Sequence, residues 1–156
     1  MVVKVFKDAE AIGKAAASMF AAKVLEKPDC VLGLATGSTP IPTYKAMADL
    51  YNAGAVDYSK VTTFNLDEYV GLNHEHDQSY YYFMHDNLFN YINVPEESIH
   101  VLSGTAADLE KECADYEKAI ETPAVLIFRF SVSVITVTSL STSPLMLSLR
   151  KRMSFL

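Results

Sequence analysis

A run of six residues without a charged side chain constrains the fold of this chain most strongly. Residues 30–35 read Cys-Val-Leu-Gly-Leu-Ala, and such a run is typical of a strand that is covered on both faces, as strands of parallel sheets are. A loop of small residues at 36–40 follows, and Tyr44, Met47 and Tyr51 then recur at helical spacing. Strand, loop and helix in this order indicate one unit of an α/β sheet.

The same alternation continues to about residue 120. Apolar and β-branched segments predict further strands at 2–6, 61–66 and 99–102. Apolar side chains at helical spacing predict a helix after Asp8, a second at 80–92 and a last one near 109–120. The first helix would bury one stripe, made of Ile12, Ala16, Met19, Phe20 and Val24. We therefore predict a layered, mostly parallel, Rossmann-like α/β sheet, flanked by helices and incomplete at its C-terminal end.

Composition excludes several classes of function. The chain has 156 residues, half of them apolar, and a formal net charge of −6. This predicts one modest domain and argues against a nucleic-acid or anionic-membrane surface. The two cysteines, Cys30 and Cys113, are far apart and belong to no C-x-x-C pair, so no disulfide framework is expected. The first residues lack the apolar segment of a signal peptide, which predicts a cytoplasmic setting.

The composition changes abruptly after residue 121. All 19 acidic residues, all six glycines and all four histidines come before position 122. We predict that residues 1–121 are the N-terminal part of a single domain and that 122–156 are an aberrant tail, translated out of frame. If one base is restored within codon 121, the other frame can spell a sequence that contains G-I-G-H-N-G-H-I-A-F-N-E-P. Taken at face value, the tail would instead be a strand within 131–138 and a basic, unstructured end.

The loop at 36–40 has the composition of a phosphate seat. It offers backbone N–H groups, three hydroxyls and the start of a helix, all of which favour a bound anion. Gly37 would let the backbone approach the ligand closely. No lysine follows as in a Walker A loop, so an ordinary strand-to-helix turn is the alternative. The candidate phosphate-binding residues are Thr36, Gly37, Ser38 and Thr39.

Two adjacent carboxylates, Asp67 and Glu68, end the strand predicted at 61–66. Ligands of open α/β sheets bind at this carboxyl edge. Neighbours on an extended chain point to opposite sides, so only one carboxylate can readily face a substrate. Asp67 is the better candidate for a general base and Glu68 the weaker one, because a carboxylate within hydrogen-bond reach can move a proton between adjacent carbons. A solvated acidic turn is the alternative.

Other polar clusters point less clearly to chemistry. His74 and His76 with Asp77 are spaced too loosely for a typical metal site. We predict that they belong to a solvated loop and that the chain has no metal ligand. The aromatic run at 80–83 is interpreted as helix packing rather than as a base-stacking platform, given the acidic charge of the chain.

Three segments together resemble the glucosamine-6-phosphate deaminase family. They are residues 35–40 with Tyr44 and Lys45, the stretch Phe-Asn-Leu-Asp-Glu-Tyr-Val-Gly-Leu at 64–72, and Ser-Tyr-Tyr at 79–81. The resemblance runs from about residue 2 to 120. It implies the conversion of glucosamine 6-phosphate to fructose 6-phosphate and ammonia, with a proton moved from C2 to C1. It also implies that Asp67 is the proton-transfer base, that 36–39 hold the phosphate, and that no metal or organic cofactor takes part.

The resemblance also implies what this chain lacks. The family's ring-opening His and Glu lie in a G-H-I-x-F-N-E-P motif that the chain does not contain, and the basic phosphate ligands further downstream are absent as well. We therefore predict an inactive or nearly inactive polypeptide derived from a deaminase. A related sugar-phosphate enzyme, such as a 6-phosphogluconolactonase, and a non-catalytic sugar-phosphate binding module are the alternatives. The expected partner is a small sugar phosphate, with no nucleic acid or membrane, and a homo-oligomer is compatible with the intact family.

Overall fold

A computed structural model describes residues 3–121, 128–129 and 146–148. Strands and helices alternate through most of this part of the chain. The helices are α1 (Ala9–Glu26), α2 (Ile41–Asn52), α3 (Tyr80–Asn87) and α4 (Leu109–Glu121). The strands are β1 (Val31–Leu34), β2 (Thr62–Asn65), β3 (Asp67–Tyr69), β4 (Ile99–His100), β5 (Phe128–Arg129) and β6 (Met146–Ser148). Among these helices, none has the length and apolar character needed to cross a bilayer.

The main sheet has the strand order β4-β2-β1-β5, and all its described pairings are parallel. Leu34 at the end of β1 is in register with Asn65 at the end of β2. The chain therefore leaves both strands at the same edge of the sheet. A second, antiparallel pairing joins β3 to β6. The predicted parallel α/β architecture is confirmed.

Helices cover both faces of this sheet. Leu32 and Leu34 of β1 pack into one apolar cluster with α1, α2 and α3. Val31 and Phe64 point to the other face, where they pack with Tyr116 of α4 in a second cluster. All four residues of β1 are buried, as the apolar run predicted for a strand covered on both sides.

The first helix is rotated relative to the predicted stripe. Phe20 and Val24 are buried as expected, but Ile12 is 49% and Met19 58% exposed. Small residues lie against α2 instead, and a Cβ added at Gly13 would come within 2.6 Å of the Pro42 carbonyl carbon. Close backbone approach at this glycine decides which side of α1 is buried, and apolar periodicity does not report it.

Two further expectations differ from the structure. Of the strand predicted at 2–6, residues 3–6 form no strand, and Val3 and Val5 are 71% and 93% exposed. A strand-like pattern does not by itself supply a neighbouring strand, and the described strands pair with one another. The helix predicted at 80–92 ends at Asn87 and continues as a 3-10 turn, Phe89–Tyr91. The strand considered within 131–138 lies outside the described residues.

Candidate active site

The loop at 36–40 leaves β1 and enters α2 at the edge of the sheet described above. Gly37 has a φ of +98° with open space around its Cβ position, so its backbone conformation, and not crowding, calls for glycine there. Ser38 and Thr39 are exposed, and Thr36 is half-buried. The α2 N-terminus has Pro40 as its cap residue and no side-chain capping hydrogen bond. The Tyr44 hydroxyl donates to the Ala35 carbonyl and ties the start of the loop to α2.

Asp67 begins β3 one residue after the end of β2 and is half-buried. Burial raises the pKa of its carboxyl group, and the charge of Glu68 raises it further. A proton-transfer base is more effective when its pKa is closer to the working pH, so the shift is in the useful direction. Asp67 thus lies at the sheet edge that also carries the 36–40 loop.

Glu68 points the other way and is fully buried. Its Oε1 accepts hydrogen bonds from the backbone N–H groups of Tyr69 at 2.8 Å and Tyr80 at 2.9 Å, and its Oε2 accepts one from Tyr81 at 3.1 Å. Tyr80 and Tyr81 are the first two residues of α3, whose N-terminus favours a negative charge. The structure therefore gives Glu68 the role of holding α3 against β3.

A close backbone contact supports this acidic segment from the outside. The Gly71 N–H donates to the Gly104 carbonyl at 2.7 Å. A Cβ added at Gly104 would lie 2.1 Å from the Tyr69 carbonyl oxygen. No side chain larger than hydrogen fits at 104 while the backbone after β3 keeps this path.

Tyr80 connects the two predicted motifs. Its hydroxyl forms a hydrogen bond with the Thr36 side chain and approaches the Tyr69 hydroxyl at 3.4 Å. Burial raises the pKa of Tyr80, the hydrogen bond with Tyr69 raises it further, and the nearby charge of Asp67 adds to the rise. The Tyr69 and Tyr80 rings pack with their centroids 4.8 Å apart. Thr36, Asp67 and Tyr80 therefore form one cluster at the sheet edge.

The sequence pattern predicts only helix packing for Tyr80 and misses its place in this cluster. A signal was available, because Ser79 is the N-cap of α3 and accepts a hydrogen bond from the Tyr82 N–H at 3.0 Å. The residue after an N-cap lies at the end of the incoming loop, which here follows the acidic segment. A tyrosine in that place can reach a ligand edge, whereas one in the middle of the helix cannot.

The histidine loop lies apart from this cluster. His74 stacks on Tyr81 with ring centroids 4.0 Å apart, and His85 packs on Tyr81 at 4.4 Å. His76 lies at the surface, with its Nδ1 3.3 Å from Asp77. Within the part of the chain that the structure describes, no three His, Cys, Asp or Glu side chains converge as metal ligands would. The described residues thus give His74, His76 and Asp77 no common ligand position.

Comparison with known proteins places this geometry in a family. The family described as glucosamine-6-phosphate isomerases/6-phosphogluconolactonase matches residues 7–137. That match runs past residue 121, where we predict that the native sequence ends, and this boundary stays a prediction. The glucosamine-6-phosphate deaminase of Thermoanaerobacter sp. (strain X514) is 52% identical over 112 residues, which are 72% of this chain and 44% of that protein. The deaminase of Clostridium botulinum (strain Loch Maree / Type A3) is 54% identical over 112 residues, 72% of this chain and 46% of that protein.

Solved structures agree with these relatives. A monomeric glucosamine-6-phosphate deaminase superimposes with a TM-score of 0.76 at 38% identity, over 78% of this chain and 51% of that one. A 6-phosphogluconolactonase from Thermotoga maritima shares the fold, with a TM-score of 0.64 at 24% identity, over 78% of this chain and 54% of that one. The chain spans about half the length of the curated relatives it matches. It belongs to the family of glucosamine-6-phosphate isomerases and 6-phosphogluconolactonases.

Proposed function

We propose that this chain carries the phosphate seat and the proton-transfer base of a glucosamine-6-phosphate deaminase site. The observation that carries the proposal is the cluster of Thr36, Tyr80 and Asp67, which joins the small-residue loop to the carboxylate. The reaction in view is the one that the relatives' names imply, the conversion of glucosamine 6-phosphate to fructose 6-phosphate and ammonia. Its proposed setting is the cytoplasmic catabolism of N-acetylglucosamine.

Each group in the cluster has a task in this proposal. The hydroxyls of Ser38 and Thr39 and the free backbone N–H groups at the start of α2 hold the phosphate, since a helix N-terminus and hydroxyl donors favour a dianion. Asp67 takes the proton from C2 of the open-chain sugar and returns it to C1. The Tyr80 hydroxyl fixes Thr36 beside Asp67, so that the phosphate and the reacting carbons keep a constant separation.

The sequence contains no G-H-I-x-F-N-E-P motif, so the ring-opening step has no candidate group. We therefore propose that the 156-residue chain binds the sugar phosphate and has little or no deaminase turnover. Proton transfer alone can still be tested with a substrate that opens unaided. In the reverse direction, fructose 6-phosphate and ammonium form an imine whose C1 proton would exchange with solvent deuterium.

The experiment combines binding with this exchange. Calorimetry should detect glucosamine 6-phosphate and not glucosamine, and ¹H NMR in D₂O should show loss of the fructose C1 signal. Asp67→Asn should keep binding and abolish exchange, whereas Thr39→Val should weaken binding. Equal affinity for both sugars would refute the phosphate seat, and exchange that persists in Asp67→Asn would refute the base.

The two alternatives give different results in the same assays. Hydrolysis of 6-phosphogluconolactone without release of ammonia would identify a lactonase. Binding that survives Asp67→Asn, with no exchange before or after the substitution, would identify a non-catalytic binding module. Ammonia release at the rate of an intact relative would contradict the proposed lack of turnover.

A further inference from the structure

The exposed apolar side chains of this chain are concentrated near its start. Nine large apolar residues are exposed among those described, and six of them lie between Val3 and Leu25. Scattered exposed apolar residues are normal, but a concentration of them indicates a surface that is covered by a partner. We call the five residues at issue the N-terminal apolar surface: Val3, Val5, Phe6, Ile12 and Met19.

The first helix has two apolar sides. Gly13, Ala17, Phe20, Ala21 and Val24 are buried against α2 and the sheet. Ile12 and Met19 are seven residues apart and share a different side, where they are 49% and 58% exposed. A helix that is apolar on more than one side is typically enclosed between two packed layers. The described residues supply only one of these layers for α1.

The segment before α1 also lacks a neighbour. Residues 3–6 have the alternating pattern of a strand, yet they pair with no strand among the described residues. Val3 and Val5 are 71% and 93% exposed, and Phe6 is 39% exposed. A strand-like segment of this kind presents unpaired N–H and C=O groups to any chain that can lie beside it.

The length of the relatives indicates what covers this surface. The matched stretch makes up 44% of the Thermoanaerobacter deaminase and 46% of the Clostridium botulinum one. The remainder of such a domain is therefore about as large as the part that this chain provides, and it must pack somewhere on it. We propose that the N-terminal apolar surface is the docking site for the second half of a family α/β domain, supplied as a separate polypeptide, with 3–6 pairing as a strand and Ile12 and Met19 packing beneath it.

The test uses the full 156-residue chain and a defined partner. The partner is a polypeptide comprising the part of the Thermoanaerobacter deaminase that lies beyond the matched stretch. Sedimentation velocity should show a one-to-one complex, and hydrogen exchange should show new protection of the 3–6 amides in it. Absence of a complex at 100 μM of each chain, on the order of the weakest specific associations, or a complex without that protection would overturn the proposal.

Matched variants separate the docking surface from general stickiness. Ile12→Asp and Met19→Asp should each raise the dissociation constant at least about tenfold, because each buries a charge in the interface. Ser18→Asp, an exposed position on another side of α1, should leave it unchanged. Val5→Pro, which removes a strand N–H, should weaken binding, while Val5→Thr should not.

Each other outcome counts against the proposal. If Ile12→Asp and Ser18→Asp bind alike, the second side of α1 is not the interface. If the chain alone forms a dimer that Ile12→Asp disrupts, the surface serves a second copy instead. Binding is measured without substrate, so the result does not depend on the proposed deaminase function.

Discussion

Glu68 offers the sharpest test of how the site is held together. Its carboxylate accepts backbone N–H groups of Tyr69, Tyr80 and Tyr81 while fully buried. Glu68→Ala leaves three donors without this acceptor, and each buried, unpaired donor costs roughly 1–3 kcal/mol. Water entering the vacated space and relief of the buried charge offset part of this loss. We expect the free energy of unfolding to fall by about 3–5 kcal/mol.

Glu68→Gln should be milder. The amide oxygen can still accept from Tyr69 and Tyr80, but the amide nitrogen would face the Tyr81 N–H as a second donor. We expect a loss of about 1–3 kcal/mol. The substitution also removes one of the two causes of the raised Asp67 pKa, so the pKa of Asp67 should fall.

Urea denaturation followed by far-UV circular dichroism measures the stabilities, and carboxyl NMR measures the pKa of Asp67. Glu97→Gln is the matched control, because Glu97 is exposed and should change stability by less than about 0.5 kcal/mol. A Glu68→Ala variant as stable as this control would refute the assignment of Glu68 to the α3 N-terminus. An unchanged Asp67 pKa in Glu68→Gln would refute the electrostatic coupling between the two carboxylates.

Three further substitutions test the fold and the site. Tyr116→Phe removes a buried hydroxyl that lies 2.6 and 2.8 Å from main-chain carbonyls at the ends of β2 and β4, and it should cost about 1–2 kcal/mol in urea unfolding. Gly13→Ala should cost about 1–3 kcal/mol in the same assay because its Cβ would overlap the Pro42 backbone; a neutral result would contradict the close α1–α2 contact. Asp67 has a raised pKa, so the folded chain holds its proton more tightly than the unfolded chain, and stability is lost as the pH rises through the folded-state pKa. Asp67→Asn should therefore stabilise the chain at pH 7 and have little effect at pH 3; the opposite order would show that the carboxylate is favoured by the fold.

The sequence by itself determined the alternation of elements and the places of the two motifs. The apolar run at 30–35 predicted a strand covered on both faces, and β1 is buried throughout. Strand formation and helix ends depend on local periodicity and on residues such as Gly54, whose φ is +70° just after α2. Since parallel strands end at one edge of a sheet, the order of the segments alone assigns the 36–40 loop and Asp67 to that edge.

Only the tertiary structure decided how these parts meet. It turned the small-residue side of α1 toward α2, buried Glu68 under the start of α3, and brought Tyr80 to Thr36 from 44 residues further along the chain. Each of these outcomes depends on contacts between distant segments, and composition and spacing carry no record of such contacts. The extended 3–6 segment follows the same rule, because a strand needs a neighbour and the neighbour is set by the whole fold.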